Sequence, residues 1–229
     1  MSSRPSPLIS YAQNGEDIVL ARALKPWEKK GFWVDCGAGH PKYDSVTKLF
    51  SQFGWTGTNI EPLDEEFMLL SQDRPNDHNV QCLLGSQSGV GSIFAGPSEN
   101  RGSSTTDPLL VERYAKEFGQ TFRESQVPMR TLTDILRETQ IPTIDFLKID
   151  VEGVELEVLV GLDGFVHLGT IGRGTARRPA EGRLHVRVEH GAHAGGHVVE
   201  HMGAQTRNEV HPRFFVPALV EFQFVLQFK

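Results

Sequence analysis

The stretch GFWVDCGAGH, Gly31 to His40, constrains this chain more than any other. An apolar run, Phe32 to Val34, ends at a carboxylate, Asp35, and a glycine turn with Gly37 and Gly39 follows at once. A second apolar run, in TGTNIEP, ends at Glu61. A buried strand that breaks into a glycine turn and re-enters a helix is a β–α unit. The acid at the end of the next strand stands where ribose hydroxyls are gripped. Such a chain is committed to an α/β fold that receives a nucleoside at the carboxyl ends of its strands.

The remaining periodicity agrees. EDIVLARAL (16–24) carries a helical apolar stripe stopped by Pro26, and SVTKLFSQF (45–53) carries another, closed by Gly54 at C′. Leu63 to Ser71 reads as a helix with Asp64 as N-cap, Asn79 to Leu84 as a third strand, and Leu109 to Phe118 as a weak helix. SGVGSIFAGPSENRGSSTTD (88–107) reads as strand followed by a mobile Gly/Ser-rich loop. Val127 to Arg130 is extended, Thr131 or Thr133 caps a helix to Glu138, Ile144 to Asp150 is a fourth strand, and VEGVELEVLVGL is a helix. Strands and helices in alternation with short connections predict a doubly wound, mostly parallel sheet. Asp35, Glu61 and Asp150, each at a strand end, are expected to face one crevice.

Composition narrows the partners. A net charge of −6 supplies no basic field for nucleic acid. Two cysteines, Cys36 and Cys82, cannot staple a fold and read as reduced thiols. No apolar run approaches a membrane span, and MSSRPSPLISYAQ has no signal-like apolar core, so the expected location is the cytoplasm. The charge is uneven. Residues 164–229 hold 8 Lys+Arg, 5 Asp+Glu, seven of the nine histidines and no aspartate. Residues 1–163 hold 15 basic and 24 acidic side chains. Sustained periodicity stops at Asp163, and beyond it only RFFVPALVEFQFVLQF is apolar enough to pack. The chain is therefore divided into a nucleoside-binding domain, 1–163, and an atypical Gly/Arg/His-rich tail, 164–229.

Four motifs carry candidate chemistry. Gly37 and Gly39 fit the first two positions of G-x-G-x-x-G, but Lys42 occupies the third, which disfavours a dinucleotide. An acid just before the glycines instead suits S-adenosylmethionine, whose ammonium and sulfonium favour acidic surroundings and which has no pyrophosphate. The competing reading is a bare glycine turn. In KIDVEG (148–153), Asp150 or Glu152 would orient or deprotonate an acceptor hydroxyl, or hold a metal; alternatively Asp150 caps a helix whose dipole favours Glu152. In SYAQNGED (10–17), Gln13 and Glu16 would lid a ligand, or Asn14 caps a helix with Asp17 at N3. HVVEH (197–201) has an inverted-zincin spacing, but glycines around it weaken the rigid helix that zinc ligation needs, and no metal is expected.

Taken together, these segments resemble the FkbM-type S-adenosylmethionine-dependent methyltransferases. The resembling pieces are SYAQNGEDIVLARAL, GFWVDCGAGHPKYDSVTKLF, GWTGTNIEP, RPNDHNVQCLLGSQSG, VPMRTLTDIL and IDFLKIDVEGVELEVLVGLD, in family order over residues 10–163. The resemblance implies a Rossmann-like class I fold and methyl transfer to a hydroxyl of a small molecule, sugar or polyketide. It implies cofactor contacts from Asp35, Gly37, Gly39 and Glu61, and matches Asp150 and Glu152 to the family's K-x-D-x-E-G segment. Beside it, Gln13 and Ser86 are read as further cofactor contacts, Asp150 or Glu152 as the catalytic carboxylate, and His40 as a fallback base or a structural residue of the cofactor loop. Ser45 and Thr47 match the family's polar helix start. Family members continue with a fifth strand, where this chain has GFVHLGTIGRGTARRP; a shifted reading frame is one explanation, testable by translating the other two frames. Without that strand, the fourth is expected to be an open edge. Two alternatives stand beside the enzyme: an inactive cofactor-binding remnant, and a metal-binding or interaction protein using the His-rich tail.

Overall fold

β-Branched and aromatic runs form the strands and amphipathic stripes form the helices, so the chain alternates between the two for most of its length. The structure, a computed structural model, describes residues 7–97, 101–139 and 143–162, and the strand backbones at 186–189, 199–202 and 224–227. In chain order the elements are α1 (Glu16–Leu24), β1 (Phe32–Cys36), α2 (Lys48–Gln52), β2 (Thr56–Ile60), α3 (Asp64–Asp73), β3 (His78–Val80), β4 (Leu83–Leu84) and β5 (Gly89–Ala95). After a 3-10 turn at Arg101–Ser103 come α4 (Pro108–Phe118), β6 (Arg123–Arg130), α5 (Leu132–Thr139), β7 (Phe146–Ile149) and α6 (Glu155–Val160). Last are β8 (Val186–Glu189), β9 (Val199–Met202) and β10 (Phe224–Gln227).

The main sheet has the order β10-β7-β1-β2-β3, parallel except for β10. The chain runs outward from β1 through β2 to β3 and then returns to β7 on the other side of β1. The gap between the ends of β1 and β7 is thus the switch point, where open α/β sheets bind ligands. Helices cover both faces. Trp33 and Phe146 pack with α1 and α2 residues Leu20, Leu24, Leu49 and Phe50 on one side. Val34, Cys36, Leu147 and Ile149 pack with Leu132, Ile135 and Val158 of α5 and α6 on the other. The expected α/β sheet is present.

Several local expectations need correction. Asn79–Leu84 is not one strand. β3 pairs with β2 only as far as Ile60↔Val80, because the chain leaves β2 at Pro62; beyond it, Leu83–Leu84 joins a second sheet, β4-β6-β5. β7 is not an open edge: β10, from the apolar end of the chain, pairs antiparallel with it, Val225 opposite Lys148. The α1 cap is Gly15, at φ 81, rather than Asn14, whose N–H donates to Glu16 Oε2. The α3 cap is Leu63, with Asp64 already helical. Asp150 does not cap α6, which begins at Glu155 after Val154. The 88–107 stretch is not simply a mobile loop: Ser103, Ser104 and Thr105 are buried and Thr105 bridges to Phe94. Within α6, Leu156 is exposed although the apolar stripe includes it. Thr131 caps α5 as read, its Oγ1 accepting from Asp134 N.

Candidate active site

The site is built where β1 breaks. Gly37, at φ 73, follows β1 immediately; a Cβ there would collide with the backbone oxygen of Asp150 after β7. Only glycine lets the two strand ends approach this closely. Gly37 N and Ala38 N donate to Ile60 O at 3.0 and 3.1 Å, fastening the turn to β2. Gly39, at φ 58, faces open space, and its N–H donates to Glu61 Oε2 at 2.8 Å. The other oxygen of Glu61 accepts from Leu63 N at 2.9 Å. Burial pushes the Glu61 carboxyl up to about 7, outweighing these two backbone bonds.

Beneath the turn lies an ion cluster that sequence spacing does not reveal. Parallel register sets Asp35 beside Lys148 on one face of the sheet. The buried Lys148 Nζ lies 3.1 Å from Asp35 Oδ1 and 3.5 Å from Asp150 Oδ2, and donates to Gly37 O at 2.9 Å. Burial pulls the ammonium's pKa down, but Asp35 and Asp150 outweigh it and leave it above the ordinary lysine range. Asp35 Oδ2 accepts from Thr47 Oγ1 at 3.0 Å, and Thr47 in turn accepts from Arg74 Nη1 at 2.6 Å. Arg74, buried, also donates to Ser45 Oγ and Pro41 O at 2.9 and 2.6 Å. One guanidinium therefore ties the segment between the glycine turn and α2 to the end of α3.

A cavity of about 790 Å³ opens above this floor. Of the expected residues, Gly37, Gly39, Glu61, Asp150, Glu152 and Gln13 line it. Two do not. Asp35 is turned under the turn toward Lys148 and Thr47, and Ser86 is exposed on the turn after β4, beyond the lining. Glu16 folds back onto Asn14 N instead of lidding the cavity. His40 lines it, but Nδ1 accepts from Lys42 N and Tyr43 N, and its pKa is lowered by burial; the nitrogen a base would use is committed. Glu152, at φ 55, is fixed through its carbonyl, which accepts from Thr105 Oγ1 at 3.0 Å. The Ser103–Thr106 segment, Tyr114, Phe118 and Gln120 also line the cavity, and the sequence offers no motif for them. Every lining residue lies between Gln13 and Val154.

The HVVEH pattern is only partly described. Its Glu200 and His201 lie in β9, paired antiparallel with β8, and not on a helix; His193 and His197 lie outside the described residues, as does most of the 164–229 tail. Among the described residues no His, Cys, Asp and Glu group has the arrangement of a metal site. No described helix is long and apolar enough to cross a membrane.

Neither the curated proteins nor the solved structures contain a match to this chain. A family model does match, over residues 35–202, beginning at the acid before the glycine turn and taking in Glu61 and KIDVEG. With the turn, the strand-end acid and the switch-point cavity in place, that match over most of the chain shows that this protein belongs to the methyltransferase FkbM domain family.

Proposed function

We propose that this protein is an S-adenosylmethionine-dependent methyltransferase acting on a hydroxyl of a small molecule. The observation that carries the reading is the Gly37–Gly39 turn at the β1/β7 switch point, with the Glu61 carboxylate at its rim and Asp150 and Glu152 across the same cavity. The residues fit the cofactor: a Cβ-free turn admits close backbone approach, and a cavity lined by several carboxylates suits a ligand with cationic groups.

When bound, S-adenosylmethionine supplies an electrophilic methyl group on a sulfonium sulfur. Glu61 would hold the ribose hydroxyls, the glycine turn would face the methionine portion, and Gln13 would close the outer side. Asp35 would act from below, through Lys148 and the turn it supports, without touching the ligand. The chain's remaining task is to place an acceptor oxygen in line with the methyl group, exclude water and receive the hydroxyl proton. Asp150 and Glu152 are the carboxylates placed for this, Asp150 held by the Lys148 ammonium and Glu152 by its strained backbone and the Thr105 bond.

Calorimetric titration with S-adenosylhomocysteine tests the reading. Wild type should bind at a single site, Glu61→Ala should lose at least about tenfold in affinity, a loss of about 1.4 kcal/mol, and Asp35→Ala should lose binding through collapse of the turn. No binding by a folded wild-type protein would reject the reading.

A further inference from the structure

Asp17 is fully buried although it stands in the first turn of α1, and aspartate is rarely buried without a task. Its two oxygens reach back along the chain. Oδ2 accepts from Tyr11 N at 2.7 Å, and Oδ1 accepts from Ser10 Oγ at 2.7 Å and from Ile18 N at 2.8 Å. Tyr11 is in turn fastened to the α2 region. Its carbonyl accepts from Ser45 N at 2.9 Å and its hydroxyl from Gln52 Nε2 at 2.7 Å. Tyr11 and Ala12 pack against the cluster that holds Leu20 and Phe50. Gly15, at φ 81, turns the chain into α1, and Asn14 N donates to Glu16 Oε2 at 3.0 Å. The arm 10–15 is thus bonded on both sides of Gln13. Gln13 itself is exposed, and its carboxamide hydrogen-bonds to no described residue. Of residues 7–24 it alone lines the cavity. A segment without regular secondary structure, tied at successive residues around one amide left open toward a cavity, is preorganised to meet a ligand.

Resting on the methyltransferase reading, we infer that Asp17 is a positioning residue for the cofactor: it fixes the arm 10–15 so that the Gln13 carboxamide is already in place when S-adenosylmethionine binds. Asp17 is not part of the cavity lining and acts only through the arm. The Gln13 carboxamide, both donor and acceptor, makes the contact. Removing the anchor leaves that contact chemically intact but makes binding bear the cost of ordering the arm. The effect of Asp17 on affinity therefore runs through Gln13 and vanishes once the Gln13 side chain is gone.

A double-mutant cycle on the full chain, read by calorimetric titration with S-adenosylhomocysteine, tests this. Gln13→Ala and Asp17→Asn should each weaken binding at least about fivefold, and the double variant should bind within about twofold of Gln13→Ala alone. A purely structural Asp17 would cost the same factor in both backgrounds, so multiplicative losses would overturn the inference, as would an unchanged affinity in either single variant. Ser10→Ala removes one bond to Asp17 from an exposed position and is expected to fold even where Asp17→Asn does not. It should weaken binding at least about twofold in the wild-type background and leave Gln13→Ala unchanged; equal losses in both backgrounds would again overturn the inference. A second measurement needs no ligand. Amide exchange at Tyr11 should quicken at least about tenfold in Asp17→Asn, or by a smaller factor in Ser10→Ala, while Ala21 to Leu24 of α1 keep their protection. Unchanged exchange at Tyr11 would overturn the anchor. Absence of S-adenosylhomocysteine binding by folded wild type would instead overturn the methyltransferase reading, and the exchange experiment would still decide whether Asp17 holds the arm.

Discussion

Glu61 and the glycines beside it carry the sharpest predictions at the level of single residues. The Glu61 carboxyl titrates near 7 in the folded chain and near its ordinary 4.5 when unfolded. Because its folded pKa is raised, the stability it contributes is present in full below pH about 4.5 and is lost as pH rises through about 7. The loss should approach about 3 kcal/mol. Urea unfolding of wild type and Glu61→Gln across that window should show the difference between them changing by that order; a parallel pair of curves would refute the shifted carboxyl. The two glycines of the turn should separate cleanly. Gly37→Ala meets the Asp150 oxygen and should cost at least about 2 kcal/mol and cofactor binding. Gly39→Ala meets nothing and should cost only about 1 kcal/mol of left-handed strain, which thermal melts of both would reveal. Glycine spacing made both positions legible in the sequence, but not which one is sterically indispensable, because that depends on β7 arriving beside β1.

Among the elements, the α2 entry and the end of α3 are joined by Arg74. Its fork binds Thr47, Ser45 and the Pro41 carbonyl at once, and it lies 5.8 Å from the centre of the Trp33 ring. Arg74→Met should destabilise by about 2–4 kcal/mol, since it strips partners from buried groups, and Arg74→Lys should recover little because one ammonium cannot span three acceptors. Chemical denaturation checks both, and hydrogen exchange should locate the loosening at 41–47. The existence of each helix was legible from its stripe, its extent less so: the stretch 45–53 shortens to Lys48–Gln52 and 151–162 to Glu155–Val160. The caps were not legible: Gly15 and Leu63 cap where Asn14 and Asp64 have the better side chains. Here the backbone path into the helix outweighed the side-chain preference. α4 shows the opposite limit, legible only as a weak helix over Leu109 to Phe118, with no sign in the sequence of its border with the cavity.

For the whole molecule, sheet order decides what is protected. β10 covers the β7 edge from far along the chain, and an edge left open would offer its N–H and C=O groups to other chains. In an antiparallel ladder alternate residues direct their N–H to the partner. Of Val225→Pro and Leu226→Pro, one should therefore cost about 3 kcal/mol and promote aggregation while its neighbour is tolerated. Light scattering on heating distinguishes them. Equal tolerance of both would mean that β10 does not guard the edge.

By itself the sequence determined the α/β class, the glycine turn, the acid after the second strand and the family, because each is encoded in a short contiguous run whose periodicity and residue type have local physical causes. Only the tertiary structure decided which acids meet the cavity. Asp35 and Glu61 both end apolar runs, yet Asp35 is drawn under the turn by Lys148 while Glu61 reaches its rim. Ser86 lies within the resembling segment RPNDHNVQCLLGSQSG yet away from the cavity in space. The Lys148–Asp35 pair, the Arg74 fork and the placement of α4 join residues tens to more than a hundred positions apart, and strand register, which sets those meetings, leaves no trace in any single segment.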